Sequence, residues 1–230
     1  MIINPLYRQD EIMRRCTGKT VLHLGFILHD QWRERLAHGN WLHARIVDVA
    51  TRAVGLDFLA SEVETIRESI DGEYVVGDCL DLDNAPIQGT FDIIVCGELI
   101  EHLENPRALL DGIRRFCHAK TDVILTTPNP WDRKWIKNTQ LGKPEAGWLN
   151  PEHVFWFSTQ TLTNFVTRCG YTVVRADRSF EESERLDTGM TRLNRLKWHA
   201  KRLARRVVTG PDEQPGLFFV VRPEKQGYHS

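Results

Sequence analysis

The chain lacks most of the features that announce a protein's class. It has no long apolar run. The longest stretches, around Phe91–Cys96 and Leu217–Val221, fall far short of the roughly 20 residues a membrane-spanning helix needs. The opening MIINPLYRQDEIMRR contains no apolar block, so no secretory leader is expected. The cysteines at 16, 79, 96, 117 and 169 include no C-x-x-C pair and no metal-ligand spacing. They are expected to be reduced, mostly in the core, in a cytoplasmic protein with no assigned metal. No G-x-G-x-x-G occurs, which argues against a nicotinamide-dependent dehydrogenase, whose pyrophosphate needs that loop. Net charge is nearly absent too, at −1, and this speaks against a general nucleic-acid binder.

What is present is globular. A hydrophobic fraction of 41% with 27% charged residues can build a sizeable core and excludes disorder and fibres. The length suits one domain over residues 1–230. The near-zero charge hides an asymmetry. Residues 191–206 hold Arg192, Arg195, Lys197, Lys201, Arg202, Arg205 and Arg206 without an acid, leaving 23 basic and 31 acidic residues elsewhere. Leu193, Leu196, Ala200, Leu203 and Val207 recur there at helical spacing, so a basic amphipathic helix is expected within an insertion at about 178–215. Three readings stand: a solvated face packed on the body, contact with an anionic membrane surface, or a polyanion site. The acidic body disfavours nucleic acid. Self-association is left open.

Short β-rich runs alternate with helix-period stretches, the pattern of a parallel α/β sheet. Strands are predicted at 20–24, 54–58, 74–77, 91–97, 122–127, 171–176 and 217–222. Helices are predicted at 9–16, 41–53 and 61–69. Two more follow the caps Asn105–Pro106 and Ser158, the latter ending at Gly170. Residues 129–157 form a long irregular stretch holding six of the seventeen Trp and Phe residues. Loops of that length inside a domain are usually functional.

In an open parallel sheet ligands bind beyond the C-terminal strand ends. Those ends carry Gly25, Asp57, Asp78-Cys79, Cys96-Gly97-Glu98 and TTPN. An acid ending the second strand can accept hydrogen bonds from vicinal ribose hydroxyls, and one ending the third can accept from an adenine amino group. The segments VLHLG, GLDF, VVGDCLDL, FDIIVCGELIEHLENP, TTPNP and NPEHVFWFSTQTLTNFVTRCGY resemble successive motifs of class I S-adenosylmethionine-dependent methyltransferases. The likeness is greatest to the group containing ubiquinone-type and sugar O-methyltransferases, and it spans residues 18–222.

The resemblance implies a Rossmann-like α/β fold: a seven-stranded sheet in the order 3-2-1-4-5-7-6, strand seven antiparallel, with helices on both faces. It implies S-adenosyl-L-methionine as cofactor. Gly25 would approach the methionine end, Asp57 hold the ribose and Phe58 flank the adenine. Asp78 and the Cys79 amide would meet the adenine edge. Cys96, Gly97 and Glu98 would line the methionine moiety. His102 and His153 are the candidate bases, with His29 and His43 as further candidates. Glu98, Glu101 and His102 also resemble the cation cluster of ubiquinone-type enzymes, but a helix-capping or ammonium-contacting role is the simpler reading.

One departure stands out. The family usually shows D-x-G-x-G-x-G after strand one; here His23 replaces the acid, and Ile27 and His29 replace the later glycines. Gly25 and Asp57 are 32 residues apart, so extra structure holding Trp32, Trp41 and His43 must be inserted. S-adenosylmethionine carries no phosphates, so a single close-approach glycine can suffice. The expected reaction is O-methylation of a sugar hydroxyl in a glycan or glycosylated small molecule. The alternatives are a phenolic or quinone-like lipid precursor as acceptor, or a binding module that has lost its cofactor.

Overall fold

A computed structural model describes residues 6–27, 31–144, 150–180 and 215–224. The described residues form one seven-stranded sheet. Its strands are β1 (Thr20–Leu24), β2 (Arg52–Asp57), β3 (Glu73–Val76), β4 (Phe91–Gly97), β5 (Cys117–Pro128), β6 (Tyr171–Ser179) and β7 (Gly216–Pro223). They lie in the order β3-β2-β1-β4-β5-β7-β6. β1 to β5 pair in parallel, and β7 runs antiparallel to both β5 and β6. This is the expected Rossmann-like topology.

The helices are α1 (Arg8–Cys16), α2 (Trp32–Ala37), α3 (Leu42–Val49), α4 (Ala60–Ser69), α5 (Pro106–Ile113), α6 (Arg133–Gln140) and α7 (Thr159–Arg168). Alternating strand residues divide the interior between the two faces. Leu22, Ile94, Val123 and Phe219 pack with Leu109 and Ile113 of α5 and with Leu162 and Val166 of α7. Val21, Val95, Ile124 and Val220 pack with Ile12 of α1 and Ile46 of α3. A third cluster joins Phe26, Trp32, Trp41 and Tyr74 to Val63 and Ile66 of α4, filling the inserted stretch after β1.

Local chemistry sets the ends. Asn105 accepts from the Ala108 amide and Pro106 opens α5. Ser158 and Thr161 form a reciprocal capping box on α7. Gly170 follows α7 at φ 72°, where a side chain would also press on the Arg114 guanidinium at 2.8 Å. Two predictions need correction. The helix expected over 41–53 stops at Val49, because Arg52 already belongs to β2. The stretch expected to be irregular contains α6, capped by the Asp132 side chain. The basic segment 191–206, His29 and Trp148 lie outside the described residues.

Candidate active site

The C-terminal edges of β1, β2 and β4 meet at one side of the sheet, with Leu24 in register with both Leu56 and Cys96. Gly25 follows at φ 65°, its amide donating to the Leu56 carbonyl. A Cβ there would stand 2.8 Å from Leu99 Cδ1, the movable end of a side chain, so it is the backbone conformation that calls for glycine. The next residues turn inward. Phe26 and Ile27 are buried, and Trp41 Nε1 donates to the Phe26 carbonyl at 3.2 Å.

Asp57 holds this glycine-poor loop. One carboxylate oxygen accepts from the Ile27 amide at 3.0 Å, the other from the Leu59 amide at 3.2 Å. Beside it Phe58 is 67% exposed, an uncommon degree of exposure for a phenyl ring. Asp78 is exposed and accepts from the Leu80 amide, while Cys79 is half-buried. Burial, reinforced by Asp78 and Asp57, pushes the Cys79 thiol up to about 12, which makes it a poor nucleophile. The Cys96 side chain is fully buried in the core, so its expected contact with a ligand concerns the main chain alone.

His43 is not placed as a base. It lies fully buried among Phe26, Trp41 and Tyr74, its Nδ1 3.2 Å from Nδ1 of His23. One ring donates and the other accepts, and burial drives both well below the usual imidazole range, to about 3 for His23. The residue that replaces the family's acid is therefore a neutral core histidine.

Strand β4 ends on Gly97, and Glu98 follows it. Glu98 adopts φ 51°, the one described non-glycine residue at positive φ, and strained backbone of this kind gathers at functional sites. Its amide donates to the Thr126 carbonyl, and its carboxylate lies 2.8 Å from Arg8 Nη1. Arg8 was missed at the sequence level. No local pattern marked it: the first turn of α1 already holds Asp10 and Glu11, and Glu98 is 90 positions away.

A 3₁₀ turn, Ile100–His102, then buries Glu101. The Glu101 carbonyl accepts from the Val154 and Phe155 amides, which brings the segment after β5 against the turn. Among the described residues, His153 Nδ1 has no hydrogen-bond partner. Burial first, then the Glu98 charge, raises the Glu101 carboxyl well above the usual range; Thr127 and Arg8 pull the other way without reversing it. The His102 and His153 rings meet edge to face at 4.6 Å. Burial, aided by His102, lowers His153, so it is neutral near pH 7. One ligand atom each from Glu101, His102 and His153 lies within 4.8 Å of the others. Glu98 turns to Arg8, and His153 instead stands with Glu101 and His102. Trp156 packs against His153 at 5.7 Å and against Trp135 of α6 at 5.6 Å, walling one side.

Comparison with known proteins agrees with this architecture. Residues 30–176 match the family described as "Methyltransferase domain". A 116-residue stretch is 29% identical to the ubiquinone biosynthesis O-methyltransferase of Paraburkholderia xenovorans (strain LB400), covering 49% of this chain and 46% of that protein. The match thus spans about half the length of that curated relative. A methyltransferase dependent on S-adenosylmethionine from Archaeoglobus fulgidus superposes with a TM-score of 0.54 at 15% identity, over 94% of this chain and 95% of that one. The plantazolicin methyltransferase BamL, solved in complex with a triazolic desmethylPZN analog and SAH, superposes at 0.57 and 12% identity, over 94% and 82%. With the strand order and the matched span in agreement, the chain belongs to the class I S-adenosylmethionine-dependent methyltransferase family.

Proposed function

We propose that the protein transfers a methyl group from S-adenosylmethionine to a hydroxyl oxygen, with a sugar hydroxyl as the preferred acceptor. The observation that carries this reading is the pairing of two adjacent sets of groups. Gly25, Asp57 and the Arg8–Glu98 pair line the strand ends, and Glu101, His102 and His153 cluster beside them. The first set fits the cofactor. An amino acid presents a carboxylate and an ammonium, and Arg8 and Glu98 are complementary to both. A carboxylate offers about four acceptor sites, so Asp57 can hold the first loop and accept from ribose hydroxyls. Phe58 presents an open ring face beside it for a purine, and Asp78 stands at the neighbouring strand end.

When bound, the cofactor supplies a methyl group already activated by a cationic sulfur. The chain's own residues align the acceptor, exclude water and take the hydroxyl proton. His153 is suited to the last task because it is neutral near pH 7 and its Nδ1 has no partner among the described residues. His102 stands beside it as the second candidate base. Trp156 and Trp135 offer flat faces to a ring-shaped acceptor. A phenolic or quinone-like lipid precursor is the second reading, favoured by the partial match to the ubiquinone-pathway enzyme.

Calorimetry with S-adenosylmethionine and its demethylated product tests the first step. Both should bind, and Asp57→Ala should weaken binding at least tenfold. Absence of binding to either would leave a methyltransferase-like binding module. Methyl transfer to sugar and phenolic panels then sorts the acceptors, with His153→Asn expected to lower turnover about a hundredfold. Turnover abolished by a chelator and restored by a divalent cation would instead assign Glu101, His102 and His153 as cation ligands.

A further inference from the structure

The buried histidines after β1 are built into the loop that follows that strand. His23 stands two residues before Gly25, and His43 is the second residue of α3. Their Nδ1 atoms are 3.2 Å apart. Room for them is made on β2. Gly55 is in register with His23, and a Cβ there would stand 2.9 Å from His43 Cε1 and 2.9 Å from Phe26 Cδ1. Glycine inside a strand marks such close approach. The His43 ring in turn packs on the Phe26 ring at 4.5 Å. Phe26 belongs to the loop, and its carbonyl is held by Trp41, the residue directly before α3. The pair thus stands behind loop 25–27 and bears on it through Phe26.

We propose that the His23–His43 pair is a proton-sensitive prop for this loop: while neutral it holds the loop in the shape that faces the cofactor, and when protonated it lets the loop open. Both are positioning residues, and their link to the cofactor rests on the assignment of the Gly25 loop proposed above. The sensitivity follows from the protons. The neutral pair shares one proton between the two Nδ1 atoms. A further proton makes one ring a cation inside an aromatic shell, and protonating both sets two N–H groups head to head. His43 Nε2 is buried with no partner among the described residues, so a charge there would be neither hydrated nor paired. The surrounding elements offer no spare acid among the described residues. On β2, Asp57 is engaged by the Ile27 and Leu59 amides. On β3, burial and then the Asp71 charge push the Tyr74 phenol up to about 12, so it stays neutral. On α4, Glu62 accepts from Trp32 and pairs with Arg33. On α1, Gln9 and Asp10 are engaged by Arg45 of α3. Burial holds both closed rings below the imidazole range, whereas opened rings titrate near 6.5. Closure is therefore fully favoured above about pH 6.5 and loses ground as pH falls, through up to two protons. From pH 8 to 5.5 the opened form gains about a hundredfold.

Amide hydrogen exchange of the full chain, corrected for the intrinsic effect of pH, reads this opening directly. Peptides covering residues 24–27 should exchange about a hundredfold faster at pH 5.5 than at pH 8, while peptides covering 93–96 of β4 should change far less. His43→Phe keeps a ring in place and removes the pair, so its loop should lose that pH response whatever its affinity for the cofactor. An equal response in the variant, or none in the wild type, overturns the inference. If the variant does not fold, the wild type still decides: loop exchange that merely follows 93–96 overturns it as well. S-adenosylhomocysteine added at pH 8 should slow exchange of the same loop. A loop that keeps its pH response but gains no protection from that ligand would uphold the prop and remove the assignment of the loop to the cofactor.

Discussion

Glu101 is a buried carboxyl whose ionisation the fold opposes, and this couples stability to pH in a defined direction. Its folded pKa lies above its unfolded value. Below about pH 4.5 both states are protonated and the site costs nothing. As pH rises, the unfolded chain ionises first, so stability falls toward the folded pKa. Glu101→Gln removes that loss. At pH 8 it should gain about 1 kcal/mol, the scale of a single buried polar group, seen as a melting temperature roughly 2–4 °C higher; at pH 4 it should melt like wild type. Methyl transfer should fall in the same variant, since stability and activity trade against each other at such sites. Retained turnover would remove Glu101 from the chemistry. At this scale the sequence was partly legible. His102 and His153 could be singled out by residue type and motif, but their meeting depends on two backbone bonds from 154 and 155 to Glu101, some fifty positions away. His43, a further candidate by sequence, is not placed as a base, because burial is a property of the packed aromatic cluster and not of its neighbours in sequence.

Among the elements, α7 shows most directly how local chemistry supports the site. Its capping box fixes Ser158, the residue that follows the Val154–Phe157 segment. Ser158→Ala should cost about 1 kcal/mol, measurable as a shifted denaturant midpoint with an unchanged slope. The caps of α5 and α7 were readable because a cap is a short-range pattern. β4 was readable at both ends because FDIIVCG is a continuous apolar run bounded by turn residues. α6 was not. RKWIKNTQ has only Trp135 and Ile136 as apolar residues, too few for a periodicity, and one buried Asn138 completes its inner face. The overrun of α3 has a similar cause, since Ala50 to Ala53 suits either element until strand pairing with β1 decides it.

For the whole molecule, the strand pattern pointed to a parallel α/β sheet and the seven-strand order followed from the motif resemblance alone, and the residues beyond the described set bear on how far that order depends on its insertion. Ser179 and Gly216 are register partners across β6 and β7, so the chain leaves and returns at adjacent positions. Phe180 is anchored separately: its amide donates to the Leu6 carbonyl, and its carbonyl accepts from the Arg8 amide. Replacing residues 182–213 by a short polar turn should therefore leave melting temperature and cofactor binding close to wild type. A large loss in either, measured by calorimetry, would show that the insertion belongs to the fold.

The placement of β7 between β5 and β6 also has a consequence for synthesis. While the ribosome has delivered the chain only as far as β6, the sheet ends at β5 and the strand that joins β6 to it has not yet been made. β5 then has an open flank and β6 has no partner in the final order. The nascent protein must wait with the β5 edge and both edges of β6 unpaired, and β7 completes the sheet by bridging the two.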